Sequence, residues 1–217
     1  MELFSYISLF FKGSMVTLTA WMVAATGSLI IGTTAGILSC RHLSSSRSRM
    51  IFRVYTFVAK GIPAYVQILI AYFVIPAWLG INVPGFFAAT AALAFCSSGY
   101  VTEIVRSGIN TIAREQWDAC FVLGYSTKNA LLRIILPQTF NNILPALLGE
   151  LEQLLKSTSL LATIGITELT RTGMNIISRE LNPIPMYLIV ACIYLFFSAL
   201  LNWFVIVMEQ RRYHGND

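Results

Sequence analysis

The chain has 217 residues, is 56% hydrophobic and only 12% charged, and carries a formal net charge of +5 at pH 7. Soluble domains carry about 25% charged residues, so the composition argues against an ordinary soluble protein and indicates lipid as the main solvent. The basic residues flank apolar runs and form no single stripe, which favours membrane orientation over nucleic-acid binding.

The first predicted membrane span covers residues 14–38. No charged residue lies between Lys12 and Arg41, and this uncharged stretch exceeds the roughly 20 residues that a membrane helix needs. Its small residues predict a face for close helix packing. They are Gly27, Gly32, Thr33 and Gly36.

Four further spans are predicted, which makes five. The uncharged stretch from Gly61 to Thr102 is too long for one span, and the segment PAWLGINVPG divides it into spans at 62–79 and 86–106. The fourth span is expected at 139–166 and the fifth at 186–208. The basic segment RHLSSSRSR, residues 41–49, is expected to be a polar loop.

The distribution of lysine and arginine predicts the orientation of these spans. One side would carry Arg41, Arg47, Arg49, Arg53, Lys60, Arg106, Arg114, Lys128, Arg133, Arg211 and Arg212; the other would carry only Lys12, Arg171 and Arg179. The N-terminus is therefore expected outside and the C-terminus in the cytoplasm.

A charged amphipathic stretch, EQWDACFVLGYSTKNALLRIILPQ, interrupts the apolar pattern. Gly124 followed by Ser126 and Thr127 predicts a helix end, a turn and a capped new helix. The loop at 113–135 would then be a short helix–turn–helix that faces a cytoplasmic partner. An interfacial helix that rests on lipid headgroups is the structural alternative.

Several motifs resemble the permease subunits of bacterial ABC importers. Asp118-Ala119-Cys120, Gly124 and Ile134-x-Leu136-Pro137 resemble their EAA signature, with Asp118 in place of the usual Glu and Cys120 in place of Ala. The stretches GIPAYVQILIAYFVIP, GYVTEIVRSGINTI and LLKSTSLLATIGITELTR are similar to the polar amino acid permease family. The resemblance covers roughly residues 10–212.

The resemblance implies an all-α integral membrane protein with the type I ABC importer permease fold. The 115–137 region would be a coupling helix in a cleft of a separate ATP-binding subunit, with Trp117 and Phe121 as apolar anchors, Asp118 as an acceptor and Gly124 at the turn. Expected partners are that ATP-binding subunit, a second permease chain, an extracytoplasmic amino-acid-binding protein and membrane lipid. The implied activity is import of polar amino acids across a bacterial inner membrane by alternating access.

The fourth span contains ionisable residues, which are costly in a membrane. Glu152 and Lys156 have the spacing of a structural ion pair. The resemblance instead points to Glu150, six residues before Lys156, and an amino acid substrate needs one anion and one cation. Glu150, Lys156 and Ser157 are therefore candidate substrate residues, which a break in the helix would help to bring together, and the structural alternative stays open.

No phosphate-binding Gly-x-x-x-x-Gly-Lys motif, catalytic motif or metal-ligand pattern is found in the sequence. We therefore expect no catalytic residue, metal or cofactor in this chain. Four residues are expected to be buried free thiols, namely Cys40, Cys96, Cys120 and Cys192. An ABC permease for an osmolyte or another small solute, and a carrier that works without an ATPase, remain alternatives.

Overall fold

The computed structural model describes residues 2–213, and all regular structure in that range is helical, as the sequence predicts. The elements are α1 (Glu2–Leu38), α2 (Ser46–Gly61), α3 (Ala64–Leu69), a π-helical segment (Ile70–Val74), α4 (Ile75–Leu79), α5 (Gly85–Asn110), α6 (Arg114–Val122), α7 (Thr127–Ala130), a second π-helical segment (Leu131–Ile135), α8 (Leu136–Ser157), a 3₁₀ segment (Thr158–Ile164), α9 (Leu169–Glu180) and α10 (Pro183–Tyr213).

Four helical stretches within the described residues are long and apolar enough to cross a membrane. They are Tyr6–Leu38, Gly85–Asn110, Thr127–Ile164 and Pro183–Val207. A fifth span results if Ser46–Gly61 and Ala64–Leu79, which meet at an angle of 96°, are counted as one broken span. The fourth stretch begins well before the predicted residue 139, because α7 continues through the π-helical segment into α8.

The segment before the bend differs from the sequence expectation. Residues 41–49 were expected to form a polar loop, but α2 already begins at Ser46, where the side chain of Ser45 accepts a hydrogen bond from the backbone N–H of Ser48. The helix ends at Gly61, and the next residue, Ile62, is extended at φ −93° and ψ 127°. Pro63 accounts for this end, since a residue before proline is driven out of the helical region.

Both π-helical segments end two residues before a proline. Ile70–Val74 precedes Pro76, and Leu131–Ile135 precedes Pro137. A proline lacks an N–H, and its ring clashes with the carbonyl four residues earlier. A wider π turn displaces that carbonyl and lets each helix continue past its proline.

The described helices divide into two compact units. One comprises Thr26–Pro63 and Ala94–Glu150. In it the small face of α1 packs on α5: a Cβ built on Gly32 would lie 2.5 Å from the Cβ of Val101, and one built on Gly36 would lie 2.7 Å from that of Val105. The packing role predicted for these glycines therefore has a structural basis, since only glycine permits this approach.

The other unit comprises Met1–Ala25, Ala64–Leu93 and Leu151–Asp217. Phe10, Leu169, Ile176 and Val190 form a buried cluster that joins α1, α9 and α10. The outward face of α10 is rich in exposed large apolar side chains, as expected for contact with lipid. Exposed Cys192 lies on α10, so the expectation of four buried thiols was wrong there.

Candidate functional site

The predicted turn between two helices is present in the 113–135 loop. Helix α6 ends at Val122, and Gly124 adopts a left-handed conformation with φ 80°. The backbone N–H of Tyr125 donates to the carbonyl of Cys120 at 3.0 Å, which closes the helix end. Ser126 then caps α7, since its Oγ accepts from the N–H of Asn129 at 3.4 Å. The new helix is not a short separate one, however, because it runs on into α8.

One face of α6 is buried. Trp117 is 0% exposed, and with Cys120 it turns towards the interior of its unit. Trp117 packs with Ile109 and Ile135 in one hydrophobic cluster, and the ring of His42 stacks on it with 4.5 Å between centroids. Trp117 was expected to be an anchor for a partner subunit, and its burial corrects that expectation: it holds α6 onto its own chain.

The opposite face of α6 carries the exposed apolar side chains. Val122 is 87% exposed, and Leu123, just past the end of the helix, is 74% exposed. Phe121, four residues after Trp117 and therefore about 40° from it, is half-exposed at the edge of the buried face. We call Phe121, Val122 and Leu123 the α6 tip. Val122 and Leu123 were not among the predicted coupling residues, although Val122 lies five residues after Trp117 and therefore about 140° away around the helix. Helical phase could have identified it.

Of the other residues of the EAA-like signature, some are exposed and some pack against the hydrophobic cluster. Asp118 and Ala119 are exposed, and the Oδ2 of Asp118 lies 3.9 Å from the Nε of Arg114. An exposed pair of this kind contributes little to stability, so the carboxylate of Asp118 stays accessible. Ile134 and Leu136 pack against the hydrophobic cluster around Trp117, and exposed Pro137 follows the π-helical segment.

The candidate substrate residues on α8 have separate partners. Helix α8 is continuous from Leu136 to Ser157, so the unwinding that was expected to help Glu150 and Lys156 meet begins only after them. Half-buried Glu150 accepts a hydrogen bond from the Oγ of Ser97 at 2.7 Å.

Lys156 and Ser157 have local partners. The Nζ of Lys156 lies 2.7 Å from the Oε1 of Glu152, which is the structural ion pair considered from the sequence. The Nδ2 of Asn202 also donates to Glu152, at 3.1 Å. The Oγ of Ser157 donates to the carbonyl of Gln153 at 2.9 Å. The structure therefore shows the pairing alternative for Lys156 and leaves Glu150 outside that pair.

A polar stripe runs along the exposed side of α8. Its members are exposed and are polar, small or helix-breaking, and at 100° per residue they fall within about 80° of one another. They are Gln138, Asn142, Pro145, Gly149, Gln153 and Lys156. We call them the α8 stripe. Such a face is poorly suited to hydrocarbon, since lipid offers no hydrogen-bond partners.

Glu168, which was not among the predicted residues, lies between the 3₁₀ segment and α9 and is 0% exposed. Its carboxylate accepts hydrogen bonds from the backbone N–H groups of Thr170 at 2.9 Å and Arg171 at 2.7 Å and thereby caps α9. The hydroxyls of Tyr194 at 3.0 Å and Thr17 at 3.5 Å also donate to it. Glutamate is not among the preferred capping residues, so no sequence signal marked this position.

Burial is the main influence on the ionisation of Glu168. It raises the pKa of the carboxyl above its ordinary value, and the two backbone donors and the Tyr194 hydroxyl oppose that rise. Because all four donors are neutral, no cation offsets the cost of burying the charge. The hydrogen bonds of Glu168 join α1, α9 and α10, which indicates a structural role for this residue.

The chain matches a known protein family. Residues 28–213 match the family of the binding-protein-dependent transport system inner membrane component. The chain is 32% identical to the putative glutamine transport system permease protein GlnP of Rickettsia typhi, over 92% of this chain and 91% of that protein. It is 33% identical to the arginine transport system permease protein ArtQ of Bacillus subtilis, over 95% and 93% of the two chains.

Solved structures agree with this match. A chain from the crystal structure of an amino acid ABC transporter with histidines superposes with a TM-score of 0.87 at 32% identity, covering 97% of each chain. The inward-facing MetNI methionine ABC transporter gives a TM-score of 0.81 at 15% identity, covering 94% of this chain and 96% of that chain. The second similarity concerns the fold alone.

Proposed function

Because the chain belongs to the family of binding-protein-dependent transport system inner membrane components, we propose that it is the permease subunit of an ATP-driven importer of polar amino acids. It is a multi-pass inner membrane protein. The chain moves its substrate by alternating access, and a separate ATPase subunit drives that movement through the 115–137 loop. The chain itself hydrolyses no ATP.

Amino acids are the substrate class that the relatives favour. Two of the relatives are named for glutamine and arginine, both polar amino acids, and each similarity extends over more than nine-tenths of this chain. One of these relatives is named for a neutral amino acid and the other for a basic one. We therefore propose polar amino acids as the substrate class and name no single amino acid.

The exposed α6 tip is the observation that carries the coupling role. Val122 and Leu123 are large apolar side chains at the end of a nine-residue helix that lies outside all the candidate spans. Burial of apolar side chains at such a site by a partner protein is favourable, because it removes their surface from water. Asp118, exposed on the same helix, adds a hydrogen-bond acceptor for that partner.

The buried face of α6 fixes the tip to the packed helices of its unit. Trp117 fixes α6 to the hydrophobic cluster of its unit, Cys120 on the same face is buried, and Ile134 and Leu136 fix the chain that follows. A force applied by the ATPase at the tip is therefore transmitted to packed helices rather than absorbed by a loose loop. This is the mechanical requirement of a domain movement driven by ATP binding.

The α8 stripe supplies a hydrophilic surface for the transport route. Gln138, Asn142 and Gln153 carry amides along a helix long and apolar enough to span the membrane, and such groups are retained in spans where they face water or another protein chain. A second permease chain that contributes the same stripe would enclose the route. We propose this pairing without choosing between an identical and a related chain.

Glu150, Lys156 and Ser157 are proposed to contact the substrate. Glu150 has one hydrogen-bond donor, Ser97, and can receive the ammonium or basic group of an amino acid. Lys156 is half-exposed although it pairs with Glu152, so a substrate carboxylate could take the place of Glu152. Ser157 follows directly and could donate to the same carboxylate after releasing Gln153.

The proposed orientation places the N-terminus outside and the C-terminus in the cytoplasm. The positive-inside bias supports it, since Arg41, Arg47 and Arg114 flank the side on which the α6 tip lies in the predicted topology. An extracytoplasmic amino-acid-binding protein would deliver substrate at the opposite face. Labelling a single cysteine at position 47 from outside intact cells would contradict this orientation.

The coupling role is tested by a charge placed on the α6 tip. Leu123→Asp should reduce uptake by tenfold or more and lower the amount of ATPase subunit that co-purifies, because a charge cannot be buried unpaired at an interface. Asn129→Asp adds the same charge at an exposed position of α7 and is the matched control. Normal uptake and co-purification with Leu123→Asp would refute the docking role of the tip.

A further inference from the structure

Lys60 packs against the middle of a candidate membrane span. It lies in the last turn of α2, and its Cγ is 3.1 Å from a Cβ built on Gly99. Gly99 is near the middle of α5, whose whole length is apolar enough to cross a membrane. The sequence analysis grouped Lys60 with the cytoplasmic basic residues, whereas this contact places it beside the centre of a span. Ionisable residues inside a span are costly and mark substrate pathways.

The ammonium of Lys60 lies against an aromatic ring. Its Nζ is 5.6 Å from the ring centroid of Tyr100, and 41% of Tyr100 is exposed. Among the described residues, no carboxylate forms an ion pair with Lys60. Glu103 acts on Lys60 only at longer range, because its carboxylate is paired with Arg106. The positive charge of Lys60 is therefore available to a ligand.

An anion lies near the same tyrosine. The carboxylate of Glu150 accepts a hydrogen bond from Ser97 and also interacts electrostatically with Tyr100. Ser97 and Tyr100 are three residues apart on α5 and are therefore neighbours on the helix surface. No basic residue in the described part of the chain forms an ion pair with Glu150. Lys60 from α2 and Glu150 from α8 thus approach the same part of α5.

This placement lies within one compact unit, the one that comprises Thr26–Pro63 and Ala94–Glu150. Two opposite charges that are not paired with each other are costly away from water, and a ligand that pairs with both removes that cost. An α-amino acid carries the two complementary groups. Its ammonium or basic side chain suits Glu150, and its carboxylate suits Lys60.

We propose that Lys60 binds the carboxylate of the amino acid whose cationic group is bound by Glu150, and that the ring of Tyr100 positions the Lys60 ammonium for this contact. The inference rests on the proposed function and adds a specificity determinant to it, namely a free carboxylate on the substrate. Lys60 makes the contact in the conformation that the structure shows. Lys156 contributes only after it leaves Glu152, whose Oε1 lies 2.7 Å from its Nζ.

Comparison of amino acids with their decarboxylated analogues tests this proposal. The chain is purified with its ATPase subunit in nanodiscs, without nucleotide and without the binding protein. Binding of labelled arginine and glutamine is measured in competition with agmatine and 4-aminobutanamide, which are the same two molecules without the carboxylate. The unaltered chain should bind an amino acid about tenfold more tightly than its analogue, as expected for a hydrogen bond between charged groups.

Lys60→Gln should remove this difference, because it weakens binding of the amino acid and leaves binding of the analogue unchanged. Lys60→Arg keeps the charge and should retain most of the difference. Tyr100→Leu keeps Lys60 itself and should reduce the difference about threefold, which is the factor expected for one cation–π contact. Arg53→Gln is the matched control, since it removes an exposed basic residue from the same helix two turns earlier. It should leave the difference unchanged.

An undiminished difference in both Lys60→Gln and Tyr100→Leu would overturn the proposal. Loss of the difference in Lys156→Met but not in Lys60→Gln would also overturn it, because the carboxylate would then be bound by Lys156. If the unaltered chain bound neither amino acid, the proposed function itself would be contradicted, and this outcome is distinct from any change confined to the Lys60 variants.

Discussion

The α6 tip and the α8 stripe each expose side chains whose polarity does not match their expected surroundings, and the mismatch is opposite in the two. At the tip, Val122 and Leu123 expose large apolar side chains in a short helix outside the candidate spans. Along α8, Gln138, Asn142 and Gln153 expose amides in a helix long enough to span a membrane. Both surfaces are unfavourable in an isolated chain, and the proposed function gives each a neighbour: the ATPase at the tip, and water or a second permease chain at the stripe.

Backbone geometry at Gly124 gives the largest expected effect at the tip. A non-glycine residue at φ 80° costs about 1–2 kcal/mol, and a β-branched residue costs more. Gly124→Val should therefore displace the tip and abolish ATP-driven uptake while the chain still inserts. Uptake and membrane abundance are measured together in whole cells.

Gly124→Asn is the matched control for that change. No atom lies within 4 Å of a Cβ built on Gly124, so size alone cannot cause a clash, and asparagine tolerates the left-handed conformation. It should retain most of the uptake. Equal loss with Asn and Val would mean that the glycine serves close contact with a partner and not the turn.

The second expected effect concerns the substrate residues. Lys156→Met should abolish uptake without loss of membrane abundance, because a substrate carboxylate loses its cation. Where Glu150 receives the basic side-chain group, Glu150→Gln should reduce transport of cationic amino acids about tenfold more than that of neutral ones, since neutral amino acids have no side-chain cation to lose its partner. Competition with unlabelled arginine and glutamine measures the difference.

Glu152→Gln separates substrate contact from structural pairing. The ion pair with Lys156 and the hydrogen bond from Asn202 make Glu152 the damaging position if the cluster is structural. We expect Glu152→Gln to be mild. Unfolding of the Glu152 variant together with normal transport by Glu150→Gln would show that the cluster only supports the helix.

Gly149 tests the α8 stripe with a smaller expected effect. No atom lies within 4 Å of a Cβ built there, so Gly149→Leu fits its own chain and increases helix propensity. Uptake should nevertheless fall several-fold, because leucine then occupies the hydrophilic face. Gly149→Ala should transport normally, and undiminished uptake by the leucine variant would place this face against lipid.

Glu168 should affect stability more than transport. Its raised pKa means that the folded state favours the protonated form, so its stabilising contribution is present at low pH and is lost as the pH rises through the raised value. The thermal midpoint of the native chain should therefore fall across that range, while Glu168→Gln should remove this component. An identical pH profile in both proteins would show that Glu168 does not titrate there.

The sequence predicted those parts of the fold that depend on composition and local signals. Uncharged runs predicted helices that correspond to α1, α5 and α10, and Gly124 with Ser126 predicted the turn after α6. The family resemblance predicted the all-helical permease fold, which is confirmed.

Features that depend on tertiary contacts were not predictable in this way. The helical start of α2 at Ser46 overrides a loop-like serine and arginine sequence. The family resemblance implied that Trp117 is an anchor for a partner subunit, yet its position about 140° from Val122 places it in the core. Glu168 had no local signal, since two of its donors, Thr17 and Tyr194, come from distant parts of the chain.

Reconstitution of the chain with its ATPase subunit and binding protein in proteoliposomes tests the central claim most directly. The account predicts that labelled arginine or glutamine accumulates only when ATP is present on the side of the α6 tip, and that Leu123→Asp prevents the accumulation. Accumulation driven by a proton gradient without ATP, or transport of an osmolyte with no amino acid transported, would contradict it.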